Sequence, residues 1–197
     1  MFLPDGTHCA GTVGGAHFGV AKRALLHGIK VLDRDGSGSD RTIIAGIDFA
    51  TKHALEHGRP SVLSLSLGGG ASQALDDAVR SAIQSGVHVV LAAGNDGEDA
   101  SLSSPSRVKE AIVVGATDIE DKIASFSNIG SVVDVFAPGV QITSAGIDSD
   151  TDSKTFSGTS MSWSVFSLCL PSIHPSTRSA LPLLANTCNL SSVNYPY

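Results

Sequence analysis

The chain has 197 residues, of which 42% are hydrophobic and 16% are charged, so its composition is that of a globular domain and excludes a disordered chain. The net charge of −6 argues against nucleic acid or an anionic membrane as a partner. The three cysteines form no disulfide framework, and no apolar stretch is long enough to span a bilayer.

A histidine among small residues comes first along the chain, in Gly6-Thr7-His8-Cys9-Ala10-Gly11-Thr12. The glycines that follow, up to Val20, predict a loop after a short helix. Cys9 beside His8 looks like a competing nucleophile, but a buried small hydrophobic side chain is the alternative that we favour. The pattern Gly11-Thr12-Val13-Gly14-Gly15 fails the dinucleotide-binding fingerprint, which excludes that class of site.

Strands and helices alternate through the middle of the chain. The hydrophobic pattern predicts strands over 24–32, 62–67, 87–93, 111–116 and 132–137, a helix capped by Ser39 or Asp40 and closed by Gly58, and a helix capped by Ser72 and closed by Gly86. The run over 87–93 is apolar almost throughout, which is typical of a sheet covered on both faces. The predicted fold class is α/β, with a largely parallel sheet flanked by helices.

Two segments have partial metal-binding patterns. The segment from Asp33 to Asp40 begins like a calcium loop, but Ile44 stands where an EF-hand has its glutamate. His53 and His57 lie four residues apart on a predicted helix without a third ligand, so solvated side chains are the simpler interpretation. Neither pattern predicts a metal site by itself.

A turn rich in small residues lies near the end of the recognisable pattern, in Ser157-Gly158-Thr159-Ser160-Met161. Ser160 would stand at a helix start, where backbone N–H groups are unpaired. A serine becomes a nucleophile only when a base takes its proton and donors await the oxyanion. Taken alone, this pentapeptide and the segment Asn95-Asp96-Gly97 are better explained as ordinary turns.

The His8, Asn95 and Ser160 motifs together resemble the subtilisin-like serine proteases (subtilases), with details closest to the fungal branch that includes proteinase K. Further matching segments, in family order, are Lys30-Val31-Leu32-Asp33, Ser64-Leu65-Ser66-Leu67-Gly68-Gly69-Gly70, Val114-Gly115-Ala116 and Ser125-Phe126-Ser127-Asn128. The resemblance runs from about residue 5 to residue 162. It implies a subtilisin-like fold and a serine endopeptidase that works through an acyl-enzyme.

The resemblance also implies roles for particular residues. Ser160 would be the nucleophile, His8 the general base, and Asn95 the side-chain donor to the oxyanion beside the Ser160 N–H. Substrate-binding residues would be Gly36, Ser37 and Gly38, as an edge that pairs with extended substrate, and Ser66, Leu67, Gly68, Ala92, Ala93 and Gly94, as walls of a roomy apolar pocket.

The expected partner is a polypeptide substrate, with no nucleic acid and no membrane, and the protein is expected to be a monomer that is secreted or vacuolar, as its relatives are. Catalysis would require no cofactor. The resemblance suggests a structural calcium ion held by the Asp134 side chain and carbonyls near Lys109 and Ala111. The alternative for Asp134 is an ordinary aspartate at a strand end.

The chain departs from the family at both ends, so we expect a truncated domain divided into 1–4, 5–162 and a divergent tail over 163–197. Asp5 stands where relatives usually have His-Gly leading into the histidine motif. Only seven residues precede His8, so we expect the aspartate that orients the histidine to be missing. Trp163 and Phe166 replace small residues, which would overpack the helix that carries the serine. The alternative function is therefore a non-catalytic remnant or a peptide-binding pseudo-enzyme.

Overall fold

The computed structural model describes residues 5–166. In this part of the chain the helices and strands are α1 (Asp5–Gly14), α2 (Asp40–His57), β1 (Val62–Leu65), α3 (Gln73–Gln84), β2 (His88–Ala92), β3 (Ile112–Thr117), β4 (Val135–Pro138), β5 (Ile142–Ala145), β6 (Ser153–Phe156) and α4 (Thr159–Phe166), with one 3-10 turn at Ala100–Leu102. The tail over 167–197, including Cys169 and Cys188, lies outside the described residues.

The central sheet has the strand order β1-β2-β3-β4, and its three neighbouring pairs are all parallel. This confirms the predicted α/β class with a parallel sheet. Side chains of successive residues in a strand point to opposite faces. Val90 and Leu91 of β2 are both 0% exposed, so both faces of the sheet are covered.

Two apolar clusters cover the two faces. Leu91 and Val113 pack into the cluster that contains the buried residues of α2 and α3. Val90 and Val114 pack into the other cluster, with Cys9 of α1 and residues of α4. The sheet is thus the middle layer between two pairs of helices, and α1 and α4 share one face.

The predicted helix caps are confirmed. The Ser39 side chain accepts a hydrogen bond from the Thr42 N–H at the start of α2, and Ser72 accepts one from the Leu75 N–H at the start of α3. Gly58 ends α2 with φ of 60°, a conformation that favours glycine. Local capping chemistry therefore sets the ends of these helices.

The predicted strand over 24–32 is wrong. The segment is not a strand, because none of the described strands pairs with it and β1 is hydrogen-bonded to β2 alone. Val31 instead packs against Gly46 of α2, while Leu25 is 70% exposed. The apolar residues of the segment thus contact a helix rather than a neighbouring strand.

An antiparallel hairpin of β5 and β6, which the sequence pattern did not reveal, pairs Ile142 with Phe156 and Ala145 with Ser153. Each strand has only four residues, too few for a clear alternation of buried and exposed positions. The hairpin packs against α1 and so holds the start of the described chain. None of the described helices is long and apolar enough to cross a membrane.

Candidate active site around Ser160

Ser160 is the second residue of α4 and lies beside the end of β2. The Gly94 N–H, just after β2, donates to Thr159 Oγ1 at 3.2 Å and joins the two elements. Thr159 and Met161 are buried, whereas Ser160 is partly exposed. The Ser160 N–H belongs to the first turn of α4, where backbone donors have no intrahelical acceptor. A hydroxyl and a backbone donor therefore occur together at an accessible position.

Asn95 adjoins this turn through its side chain. Its Oδ1 accepts hydrogen bonds from the Thr159 N–H at 2.9 Å and from Thr159 Oγ1 at 3.0 Å. Because two donors converge on Oδ1, the carboxamide has one orientation, and its Nδ2 group remains a donor for another acceptor. Asn95 is exposed, so that acceptor can come from solvent or a ligand. Thr159, which the sequence pattern placed only in a turn, is the residue that fixes the amide.

Asn128 holds the loop that carries Asn95. Its side chain is 1% exposed, and its Oδ1 accepts from the Asp96 and Glu98 N–H groups at 2.9 and 3.0 Å. Its Nδ2 donates to the Ala93 carbonyl at 3.1 Å. In the sequence, Asn128 stands out only as the last residue of the matching segment Ser125-Phe126-Ser127-Asn128. An asparagine at that position gives no local signal that it reaches a loop 30 residues earlier.

His8 lies in the interior of the structure. Its side chain is 0% exposed, with Nε2 3.0 Å from the Ile142 carbonyl and 3.1 Å from the Lys154 carbonyl of the hairpin. Its Nδ1 has no hydrogen-bond partner. Neither ring nitrogen is thus bonded to the Ser160 hydroxyl, whereas a general base must reach the proton that it takes. In this structure the imidazole joins α1 to the β5–β6 hairpin, and the role of His8 as the general base stays a prediction.

Cys9 is buried, as predicted, and it contacts the main chain of Ser160. Its side chain is 4% exposed, and its Sγ donates to the Ser160 carbonyl at 3.4 Å. Burial, reinforced by the negative charge of Asp5, raises the pKa of the Cys9 thiol to about 12. A thiol with this pKa stays protonated at neutral pH, so Cys9 is a poor nucleophile.

The family model described as the subtilase family matches residues 6–166. The chain belongs to the subtilase family. It is 56% identical over 156 residues to an extracellular serine proteinase of Thermus sp. (strain Rt41A) and 59% identical over 156 residues to subtilisin-like protease 2 of Pseudogymnoascus destructans (strain ATCC MYA-4855 / 20631-21). Each alignment covers 79% of this chain but only 37% and 38% of the two relatives, so the chain spans about two-fifths of their length.

A solved structure agrees with this assignment. The crystal structure of a cold adapted subtilisin-like serine proteinase matches with a TM-score of 0.83 and 45% sequence identity. The match covers 93% of this chain and 67% of that chain. The fold is therefore subtilisin-like, as predicted, and the family is one of serine endopeptidases.

The predicted substrate segments of this subtilase differ in exposure. Ser37, Gly38 and Gly68 are exposed, and Gly36 and Gly94 are partly exposed. Side chains of the predicted pocket walls are less accessible: Ala92 and Ala93 are 7% and 0% exposed and belong to the two core clusters, and Leu67 packs against one cluster. The role of these two alanines as pocket walls stays a prediction. Ser66 is partly exposed, and its hydroxyl donates to the Asp5 carboxylate at 3.2 Å.

Asp134, the predicted calcium ligand, is partly buried next to β4. Its Oδ2 accepts a hydrogen bond from the Val113 N–H at 2.9 Å, which agrees with the alternative of an aspartate that ties two strands together. Calcium takes six to eight oxygen ligands, and the carbonyls near Lys109 and Ala111 would have to supply most of them. Residues 5–166 contain no cluster of three or more His, Cys, Asp or Glu side chains that could hold a metal ion. Calcium at Asp134 stays a prediction.

Local contacts account for both partial metal-binding patterns. Asp33 Oδ1 accepts from the Asp35 and Ser37 N–H groups, both at 2.9 Å, and these hydrogen bonds lower the pKa of the Asp33 carboxyl. The carboxylate thus closes its own turn. The His53 and His57 rings stack with their centroids 4.1 Å apart, and His57 Nδ1 lies 2.8 Å from the His53 carbonyl. Asp33 thus stabilises its own turn, and His53 and His57 contact each other along α2.

The burial of His8 predicts a pH-dependent stability. Burial lowers the pKa of His8 below its ordinary value of 6.5, so the unfolded chain binds a proton more readily than the native protein. This stabilisation is fully present above pH 6.5 and is lost as the pH falls toward the native pKa, with a slope of at most about 1.4 kcal/mol per pH unit. Urea unfolding between pH 5 and 8 measures it.

The control is His17→Gln, because His17 is exposed and its removal should leave the pH dependence unchanged. His8→Gln should flatten the dependence. If that variant does not fold, an NMR titration of the His8 ring in the native protein decides the question. Titration of His8 at its ordinary value of 6.5 would contradict the burial of the imidazole as the cause.

The contacts of Asn128 predict that Asn128→Ala destabilises the loop at Asn95. The substitution leaves two N–H groups and a carbonyl without partners, which should lower the free energy of unfolding by about 1–3 kcal/mol. Amide hydrogen exchange should show faster exchange at Asp96 and Glu98, whose N–H groups donate to Asn128. Asn95→Ala is the matched control, and it should leave the exchange at these amides unchanged. Equal exchange in the two variants would show that Asn128 does not hold the loop.

Proposed function

We propose that the site around Ser160 binds an extended polypeptide and is built to hydrolyse a peptide bond through an acyl-enzyme. Ser160 is the nucleophile, and the Asn95 Nδ2 group and the Ser160 N–H are the donors to the oxyanion. The substrate backbone lies along the exposed edge at Gly36, Ser37 and Gly38, where main-chain pairing binds without demanding a particular sequence. This extends the family's reaction to a chain that spans part of its relatives.

One observation carries the proposal: the Asn95 carboxamide is oriented beside the turn that bears Ser160. Both hydrogen bonds that Oδ1 accepts come from Thr159, the residue before Ser160. A donor held in place before the reaction stabilises developing charge without the cost of reorganising at that moment. In an ordinary surface turn the amide would not be held by buried side chains. Here Thr159 holds the Asn95 amide, and Asn128 holds the loop that carries it.

The proposed reaction follows from these positions. The Ser160 Oγ attacks the scissile carbonyl carbon, and its proton passes to a base. The carbonyl oxygen becomes an oxyanion that accepts hydrogen bonds from Asn95 Nδ2 and the Ser160 N–H. Collapse of this intermediate expels the amine, which takes the proton, and leaves an ester on Ser160. Water then releases the acid by the same steps in reverse order.

A second candidate, a peptide-binding protein with little or no hydrolysis, is favoured by the position of His8. The imidazole lies within hydrogen-bond distance of two carbonyls of the hairpin, and its Nδ1 has no hydrogen-bond partner. The oxyanion donors and substrate binding alone still give a residual rate in an intact framework. For this chain we therefore expect that it binds peptides and hydrolyses them slowly.

We also propose the setting in which the site works. A relative is named an extracellular serine proteinase, which supports secretion, and the polypeptide substrate is the partner of a monomeric protein. Catalysis needs no cofactor, and a calcium ion at Asp134 would act on stability alone.

A fluorophosphonate, which phosphonylates an activated serine, tests the proposal on the full-length chain. Mass spectrometry should locate the adduct on Ser160 and find none in Ser160→Ala. Because one oxyanion donor contributes about 10²–10³ in rate, Asn95→Ala should slow phosphonylation strongly. The control is Ser101→Ala, on the separate 3-10 turn, which should leave the phosphonylation rate unchanged. Asn128→Asp is not suitable as a control, because it disturbs the loop that carries Asn95. Labelling spread over several serines, with no dependence on Asn95, would refute the proposal.

A further inference from the structure

A continuous stretch of exposed residues, 22–28, lies in the connection between α1 and α2. The chain belongs to no helix, strand or turn from residue 24 to residue 31. Leu25 and Leu26 lie in this stretch and are 70% and 42% exposed. Exposed loops are the preferred sites of proteolytic nicking in native proteins. The connection therefore has the exposure and the apolar side chains of a cleavage site.

The backbone of this connection is free to pair with another chain. In the described part of the chain, none of the backbone N–H groups of residues 25–32 donates to a backbone carbonyl. The Leu26 side chain lies against Gly14 of α1, and the His27 ring lies 4.5 Å from the His53 ring. Opening these side-chain contacts frees the stretch without breaking a ladder of backbone hydrogen bonds. An extended segment of this kind can add as a strand to an exposed edge.

The charges of the connection complement those of the proposed substrate edge. Residues 21–30 carry three basic side chains and no acidic one, namely Lys22, Arg23 and Lys30. Residues 33–40, which include the proposed edge, carry three acidic side chains and one basic. Complementary charges favour the encounter of two surfaces and suppress wrong pairings. Because every copy carries both segments, one copy of the chain can present a substrate to another.

We propose that a second copy of this chain binds residues 22–28 as its substrate and cuts the bond between Leu25 and Leu26. The inference rests on the proposed function. The Ser160 Oγ of one copy attacks the Leu25 carbonyl carbon of the other, and its proton passes through a base to the Leu26 nitrogen as the amide bond breaks. Water then takes the acyl group from Ser160 and leaves a carboxylate on Leu25.

The packing of the connection assigns the cut to a second copy rather than to the same chain. Val31 and Leu32 pack against the apolar cluster beneath α2 and α3. They hold the connection at the point where it leads into its own substrate edge, so the exposed stretch does not fold back over that edge. Leu25 is the more exposed of the two leucines, and its side chain suits the roomy apolar pocket that the family resemblance implies.

Mass spectrometry of the full-length protein, denatured after incubation, tests the proposal. Ser160→Ala is the substrate copy, since its fragment 26–197 is lighter than the native one by one oxygen atom, and the native protein is the protease. Fragments ending at Leu25 and beginning at Leu26 should form in proportion to the native protein added. Denaturation is needed because His8 and Cys9 are buried and keep α1 in place after the cut.

A substitution at the cleaved bond gives the sharper readout. Leu25→Asp in the substrate copy should slow the cut at least about tenfold, because an apolar pocket disfavours a charge. Leu102→Asp changes another exposed leucine, 64% exposed on the 3-10 turn, and should be cut at the unsubstituted rate. Equal rates for the two variants would overturn the assignment to Leu25.

Hydrolysis of unfolded casein by the native protein, measured in parallel, separates the two proposals. Casein hydrolysis without a cut between residues 22 and 28 would overturn this inference and leave the proposed function standing. Hydrolysis of neither substrate would overturn the inference, and the fluorophosphonate experiment would then decide the proposed function separately. The same cut in Ser160→Ala incubated alone would show that Ser160 does not make it and would also overturn the inference.

Discussion

Two hydrogen bonds from Thr159 to the Asn95 carboxamide oxygen are the interaction on which the site depends. They join the loop after β2 to the start of α4, which come from positions 64 residues apart in the chain. Without them the amide could rotate, and its donor group would not have a defined direction. The parallel sheet makes the junction possible, because β2 ends where the first turn of α4 begins.

Buried side chains hold this junction from both sides. Asn128 fixes the Asn95 loop from one side through three hydrogen bonds, and Met161, 2% exposed, fixes α4 from the other. Trp163 is also accommodated, at 4% exposed, although the sequence predicted that it would overpack the helix. It belongs to the cluster with Val90 and Val114, where the ring is buried and its Nε1 has no hydrogen-bond partner.

The sequence predicted what depends on local chemistry. Ser39, Ser72 and Gly58 carry capping signals within one turn of the backbone groups that they satisfy, so the ends of α2 and α3 could be foreseen. The strand over 24–32 could not be judged locally, because a strand exists only with a partner. The contacts of His8 could not be foreseen for a related reason: its position in a motif does not say which face of α1 it occupies, and that face packs on a hairpin 134 residues away.

Asn95, the proposed oxyanion donor, and Ser160, the proposed nucleophile, thus lie side by side in the structure, while the His8 imidazole contacts the hairpin. The most direct test of the central claim is a double-mutant cycle on the phosphonylation rate of Ser160, with Asn95→Ala and Thr159→Val. We predict strong coupling, since Thr159→Val should slow the reaction while Asn95 is present and have little further effect once Asn95 is replaced. Additive effects of the two substitutions would contradict the claim that Thr159 acts through the Asn95 amide.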